Sequence, residues 1–288
     1  MLPHDKRAAF RAILAGPQLV CPGSVYDPIS ARIAQEVGFE LGLLGGSVAS
    51  LTILGDPDVV LITLSELAEQ VRRTCRAADL PVLVDADHGY GNALNVRRTV
   101  QELEAAGAAG LTIEDTLLPQ AFGAARPQLI SVDEGVGKMK AALEARADPA
   151  LVIVGRTGAA AITGIDDTVA RAKAYEAAGV DALFFTGLKA RGELQAIVAA
   201  TTLPIVMGSA DGELADMAFL ASQRVRVANQ GHHPIAAAMQ AVYATQKALR
   251  DGVAPKDLKG LPSADLTRRI TRDDTVKTRI ADFMGVKT

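Results

Sequence analysis

Asp85 and Asp87 close the apolar run Val82–Val84 in the segment Pro81-Val-Leu-Val-Asp85-Ala-Asp87-His-Gly-Tyr-Gly91. Alternate residues of a strand point to the same side, so a strand ending here would turn both carboxylates toward one point. Little cationic charge lies nearby in sequence to neutralise them. Oxygen donors of this kind suit a hard divalent cation, Mg2+ or Mn2+. Glu114, after Gly110-Leu-Thr-Ile113, ends another apolar run and joins as a third acid. The plainer roles are a turn or helix cap for Asp87 and a lysine pair for Glu114. Arg156 ends the run Leu151-Val-Ile-Val154-Gly155. Its planar fork could grip a carboxylate through two hydrogen bonds, or pair with the neighbouring acids. Gly45-Gly46-Ser47 offers backbone amides that a carboxylate or oxyanion can approach closely, although the triplet also suits an ordinary turn. His232 precedes His233-Pro234 and titrates near neutrality, so it could serve as acid, base or carboxylate donor; His233 and His88 read as structural. Neither Cys21 nor Cys75 reads as an activated nucleophile.

These residues need a frame that brings the ends of separate apolar runs together. Such runs recur near 19–25, 41–45, 81–85, 110–114, 151–156, 182–186, 203–207 and 224–228. Amphipathic stretches lie between most of them: 27–37, 64–78, 92–106, 132–145 and 166–178, with 234–249 after the last. Several stop at glycine, as in Val37-Gly38, Ala106-Gly107 and Ala178-Gly179, where a left-handed cap costs little. Eight strands alternating with helices predict a (β/α)8 TIM-type barrel, whose active site lies at the C-terminal ends of the strands. A doubly wound open sheet is the alternative, but no Gly-x-Gly-x-x-Gly follows the first strand. The barrel is expected over residues 1–252. A C-terminal helical extension over 253–288, with its charged run Arg268–Arg279, is expected to belong to the same domain.

Composition narrows the classes further. The 288 residues are 49% hydrophobic but only 4% aromatic, with no Trp, so the core must be built from small aliphatic side chains. With 30 basic against 33 acidic residues and no dominant basic run, nucleic acid is not expected as a partner. No stretch of about 18 apolar residues suggests a membrane span. The N-terminus does not read as a signal peptide. Two cysteines make neither a disulfide framework nor a zinc site, and a reducing cytoplasm is expected.

The motif Asp85-Ala-Asp87-His-Gly-Tyr-Gly91 resembles the Asp-Ala-Asp-x-Gly-(Tyr/Phe)-Gly segment of the isocitrate lyase/phosphoenolpyruvate mutase superfamily. The resemblance runs from Ser24-Val-Tyr-Asp27 through Gly45-Gly46-Ser47 and Thr112-Ile-Glu114-Asp115 to Gly231-His232. It is greatest to the oxaloacetate decarboxylase branch, over the runs 85–96 and 113–119. The resemblance implies a barrel whose last helix is exchanged between subunits of a homodimer or homotetramer. It also implies an α-keto acid substrate chelated to Mg2+, or to Mn2+. Asp85 would bind the ion, and Asp87 and Glu114 its waters, with help from Asp58. Gly46 and Ser47 would take the substrate C1 carboxylate. Arg156 and His232 would be catalytic and would also contact substrate. The cysteine loop of the lyases that cleave isocitrate is missing, because Thr116–Arg126 holds neither cysteine nor histidine. The loop of the phosphonate-forming mutases is absent too. Gly158 stands where the family has asparagine, Met207-Gly-Ser209 where the branch carries a tyrosine, and Gln230 where it has asparagine. The expected activity is decarboxylation of oxaloacetate to pyruvate and CO2 by a carboxy-lyase. Two alternatives are a C–C lyase or hydrolase acting on another α-keto or 2-hydroxy acid, and a protein that binds an α-keto acid without turning it over.

Overall fold

The computed structural model describes residues 1–285. Eight strands occur in chain order: β1 (Gly23–Ser24), β2 (Gly42–Leu44), β3 (Val82–Asp85), β4 (Gly110–Glu114), β5 (Val152–Thr157), β6 (Ala182–Phe185), β7 (Ile205–Met207) and β8 (Val225–Ala228). Each pairs in parallel with its neighbour in sequence. The ring closes just before β1. The Val20 N–H donates to the Arg226 carbonyl at 2.9 Å, and the Ala228 N–H donates to the Val20 carbonyl at 3.0 Å. The architecture is the expected (β/α)8 barrel, followed by a helical C-terminal extension.

Strand alternation divides the core in two. Leu41, Leu43, Leu83, Val152, Val154, Phe184, Val206 and Val227 fill the inside of the ring. Small aliphatic side chains such as Val84, Val100, Ile113 and Ala172 pack between strands and helices. The helix Pro28–Glu36 ends before Gly38 (φ 91°), and Ile165–Ala178 ends at Gly179 (φ 100°), as the glycine stops predict.

An additional helix, Pro3–Ala15, seals the end of the ring opposite the acids. Its Phe10 is fully buried inside the ring, and a Cβ on Gly110 would lie 2.5 Å from the ring edge. Lys6 and Arg7 on it are buried too, because backbone carbonyls accept their hydrogen bonds. Lys6 donates to the carbonyls of Cys75 and Ala78 at 2.6 Å each, and Arg7 donates to that of Glu104 at 2.7 Å.

The chain forms two compact units, Met1–Gly231 and a second beginning at His232. The second contains the helices His233–Arg250, Ala264–Thr271 and Asp273–Met284. No helix among the described residues is long and apolar enough to cross a membrane.

Candidate active site

β3, β4 and β5 bring Asp85, Glu114 and Arg156 to one end of the ring. Register sets Glu114 opposite Arg156 and Asp85 opposite Thr112. The Arg156 guanidinium bridges two acids, with Nη1 2.6 Å from Asp85 Oδ2 and Nη2 3.1 Å from Glu114 Oε2. Its carbon lies 5.3 Å from the centre of the Phe184 ring, which supports its face. Asp85 Oδ1 accepts from the Thr112 hydroxyl at 3.0 Å and from the Asp87 N–H at 3.2 Å.

Asp87 reaches the cluster by a different route from the alternation that the sequence suggests. β3 stops at Asp85, and Asp87 lies beyond it in the left-handed region (φ 46°), which Asp tolerates better than most residues. A turn, and not the strand pleat, therefore folds its carboxylate back toward Asp85. The turn is pinned from outside by Thr99, which donates to the Gly89 carbonyl, and by Lys138, which donates to the His88 carbonyl. The following helix is capped by Asn92 and not by Asp87.

Gly46 and Ser47 are the first two residues of a short helix, Gly46–Ile53. Their N–H groups thus stand at a helix N-terminus, outside the helix's own hydrogen-bond ladder, which favours an anion. The Gly46 N–H is 3.5 Å from Asp85 Oδ2. Only glycine fits there, because a Cβ would lie 2.5 Å from Asp87 Oδ1.

The charges are unequal. Burial works against ionisation of Asp85, but Arg156 and the hydrogen bonds outweigh it and hold its carboxyl below the usual range. Glu114 is raised by burial and by Asp85 and Asp115, against the pull of Arg156. Asp87 is pushed up to about 8, first by burial and then by the charges of Asp85, Glu114 and Asp58. Three carboxylates thus share one guanidinium, and Asp87 is left without a cation of its own. Among the described residues no three acid, histidine or cysteine side chains form a closed metal cage. An all-oxygen donor set with surplus negative charge fits a cation that keeps several waters.

The barrel unit therefore brings together Gly46, Ser47, Asp85, Asp87, Glu114 and Arg156. His232 occupies the N-cap position of His233–Arg250 in the second unit, without a side-chain capping hydrogen bond. Thr112 and Phe184 also join the site. Each lies at an inward-facing strand position, and only the pairing register shows which site residue it meets. The segment after β4 is tied at its base by a bridge between Thr116 and Leu129 and by the Leu117 N–H, which donates to the Gln128 carbonyl at 2.8 Å.

The phosphoenolpyruvate phosphomutase family model matches residues 10–250. A protein named oxaloacetate decarboxylase from Bradyrhizobium sp. (strain ORS 278) is 69% identical over 281 residues, covering 98% of each chain. Another of that name, from Rhodopseudomonas palustris (strain BisB5), is 70% identical over 284 residues, covering 99% of this chain and 98% of its own. A crystal structure of phosphonopyruvate hydrolase in complex with oxalate and Mg2+ superposes with a TM-score of 0.87 at 29% identity, covering 99% of this chain and 100% of that one. On these matches and on the site's geometry, the chain belongs to the phosphoenolpyruvate mutase/isocitrate lyase superfamily.

Proposed function

We propose that the chain is a carboxy-lyase that decarboxylates oxaloacetate to pyruvate and CO2, with a divalent cation, Mg2+ or Mn2+, at the acid cluster. One observation carries this reading: three carboxylates and one guanidinium converge at the barrel mouth beside the N-terminal amides of a short helix. The relatives named oxaloacetate decarboxylase support the choice of substrate. Asp85 would hold the ion directly, and Asp87 and Glu114 would hold its waters. When bound, the ion supplies Lewis-acid polarisation of the C2 carbonyl.

The protein's own groups do the rest. The amides of Gly46 and Ser47 hold the C1 carboxylate. The C3–C4 bond breaks, its electron pair moves toward the C2 oxygen, and C4 leaves as CO2. Arg156 offers fixed positive charge where that oxygen becomes negative. His232 binds the C4 carboxylate. Water delivers the proton to C3, which agrees with the absence of cysteine and histidine from Thr116–Leu129.

The working form is a homodimer or homotetramer. The helix His233–Arg250 buries none of its residues, and Met239, Val242 and Tyr243 are exposed on it. Exchange with a second copy would cover them. Free Cys21 and Cys75 suit a cytoplasmic setting. The test is product analysis with Mg2+ present. The reading expects pyruvate and CO2 in equal amounts, faster than free Mg2+ alone produces them. A rate no better than free Mg2+ overturns it.

A further inference from the structure

Gly158 and Gly208 are glycines that the backbone does not demand. Gly158 has φ −101°, and Gly208 is not among the glycines with positive φ. What each lacks is room. A Cβ on Gly158 would lie 3.2 Å from Thr186 Oγ1, and a Cβ on Gly208 would lie 2.8 Å from Thr186 Cγ2. Both glycines therefore make space for one side chain, Thr186.

Register shows where that side chain stands. Arg156, Phe184 and Val206 form one inward row across β5, β6 and β7. The ladder runs one step further: the Thr186 N–H donates to the Thr157 carbonyl at 3.2 Å, and the Gly208 N–H donates to the Phe185 carbonyl at 2.9 Å. Gly158, Thr186 and Gly208 are thus the next inward row, two residues further along the strands toward the mouth than Arg156, Phe184 and Val206. Thr186 is half-buried, and its hydroxyl makes no hydrogen bond to another described residue.

We propose that Thr186 is a specificity-determining residue whose hydroxyl donates to the distal carboxylate of a keto diacid, with Gly158 and Gly208 holding it upright. This rests on the decarboxylase reading of the same site and names the end of the substrate that the row recognises. The distal carboxylate loses its charge as C4 departs. A donor to it therefore favours the bound substrate over the transition state, and removing it raises KM without lowering kcat.

The test compares wild type with Thr186→Val, which keeps the shape, and Thr186→Ser, which keeps the hydroxyl. Steady-state turnover of oxaloacetate is measured, together with calorimetric affinities for 3,3-difluorooxaloacetate and for oxalate, which has no distal carboxylate beyond C2. Thr186→Val is expected to raise KM and weaken the difluoro diacid about tenfold, the worth of one hydrogen bond to a charged group. Oxalate affinity stays within about twofold, kcat does not fall, and Thr186→Ser restores KM. An unchanged KM and unchanged diacid affinity in Thr186→Val overturns the proposal, and so does an equal loss of oxalate affinity. If wild type gives no turnover, the decarboxylase reading fails by itself, while the ratio of diacid to oxalate affinity still decides the role of Thr186.

Discussion

Arg156 carries more of the site than any other side chain, because one fork answers two carboxylates. Lysine would keep the charge but not the two-point geometry, since its ammonium is a compact point charge. Arg156→Lys should therefore leave one of Asp85 and Glu114 without its partner and misplace positive charge at the reacting oxygen. We expect kcat to fall by about 100-fold or more, the scale of a lost oxyanion donor. Steady-state kinetics check this, and an unchanged kcat contradicts the role. At this scale the sequence was informative where chemistry follows from residue type: Asp85, Asp87, Glu114 and Arg156 stand out because acids and arginine are unusual at the ends of apolar runs. Thr112 and Thr186 did not stand out. Threonine is ordinary in strands, and their roles depend on pairing with residues 27 and 28 positions away, Asp85 and Gly158.

Among the elements, the eight strands were legible because a buried parallel sheet leaves unbroken apolar runs. Several helices were not, among them Gly46–Ile53 and Pro3–Ala15. Gly46–Ile53 is short and mixes small apolar side chains with Ser47, Ser50 and Thr52, so it carries no helical periodicity that sequence could show. Pro3–Ala15 places Lys6 and Arg7 in the interior, and burial of such residues follows from carbonyl partners that sequence does not display. That helix should matter for stability. Phe10→Ala would leave a cavity inside the ring and cost about 3–5 kcal/mol, seen as a lower Tm. Asp148 ties the same helix down through Arg7 Nη1 at 2.9 Å. Burial pushes the Asp148 carboxyl up, but the Ala150 N–H, Arg7 and His4 outweigh it and leave it well below the usual range. A depressed folded value means stability that is present above the unfolded value, about 3.9, and lost as pH falls below it. Asp148→Asn should therefore lower Tm at pH 7, and the gap to wild type should close below about pH 4. A gap that is constant with pH contradicts the ion pair's contribution.

For the whole molecule, the eightfold alternation made the barrel readable before any coordinates, because only a closed ring uses eight β/α units without leaving edges. Its chemistry sits at one end of the strands and its stabilising plug at the other. The assembly is not written in the alternation. The exposed apolar residues of His233–Arg250 predict at least a dimer in solution, and light scattering on the eluting protein at micromolar concentration checks this. The mass of a single chain contradicts the exchanged helix.

The acid cluster at the barrel mouth is expected to drive decarboxylation of oxaloacetate. The most direct test is the rate of pyruvate formation by wild type and by Asp85→Ala at saturating Mg2+, each corrected for free Mg2+. Losing the direct ligand should remove the enzymic rate, leaving only the background of free Mg2+, while the circular dichroism spectrum stays that of the folded barrel. Asp85→Ala that remains folded and turns oxaloacetate over at the wild-type rate contradicts the account.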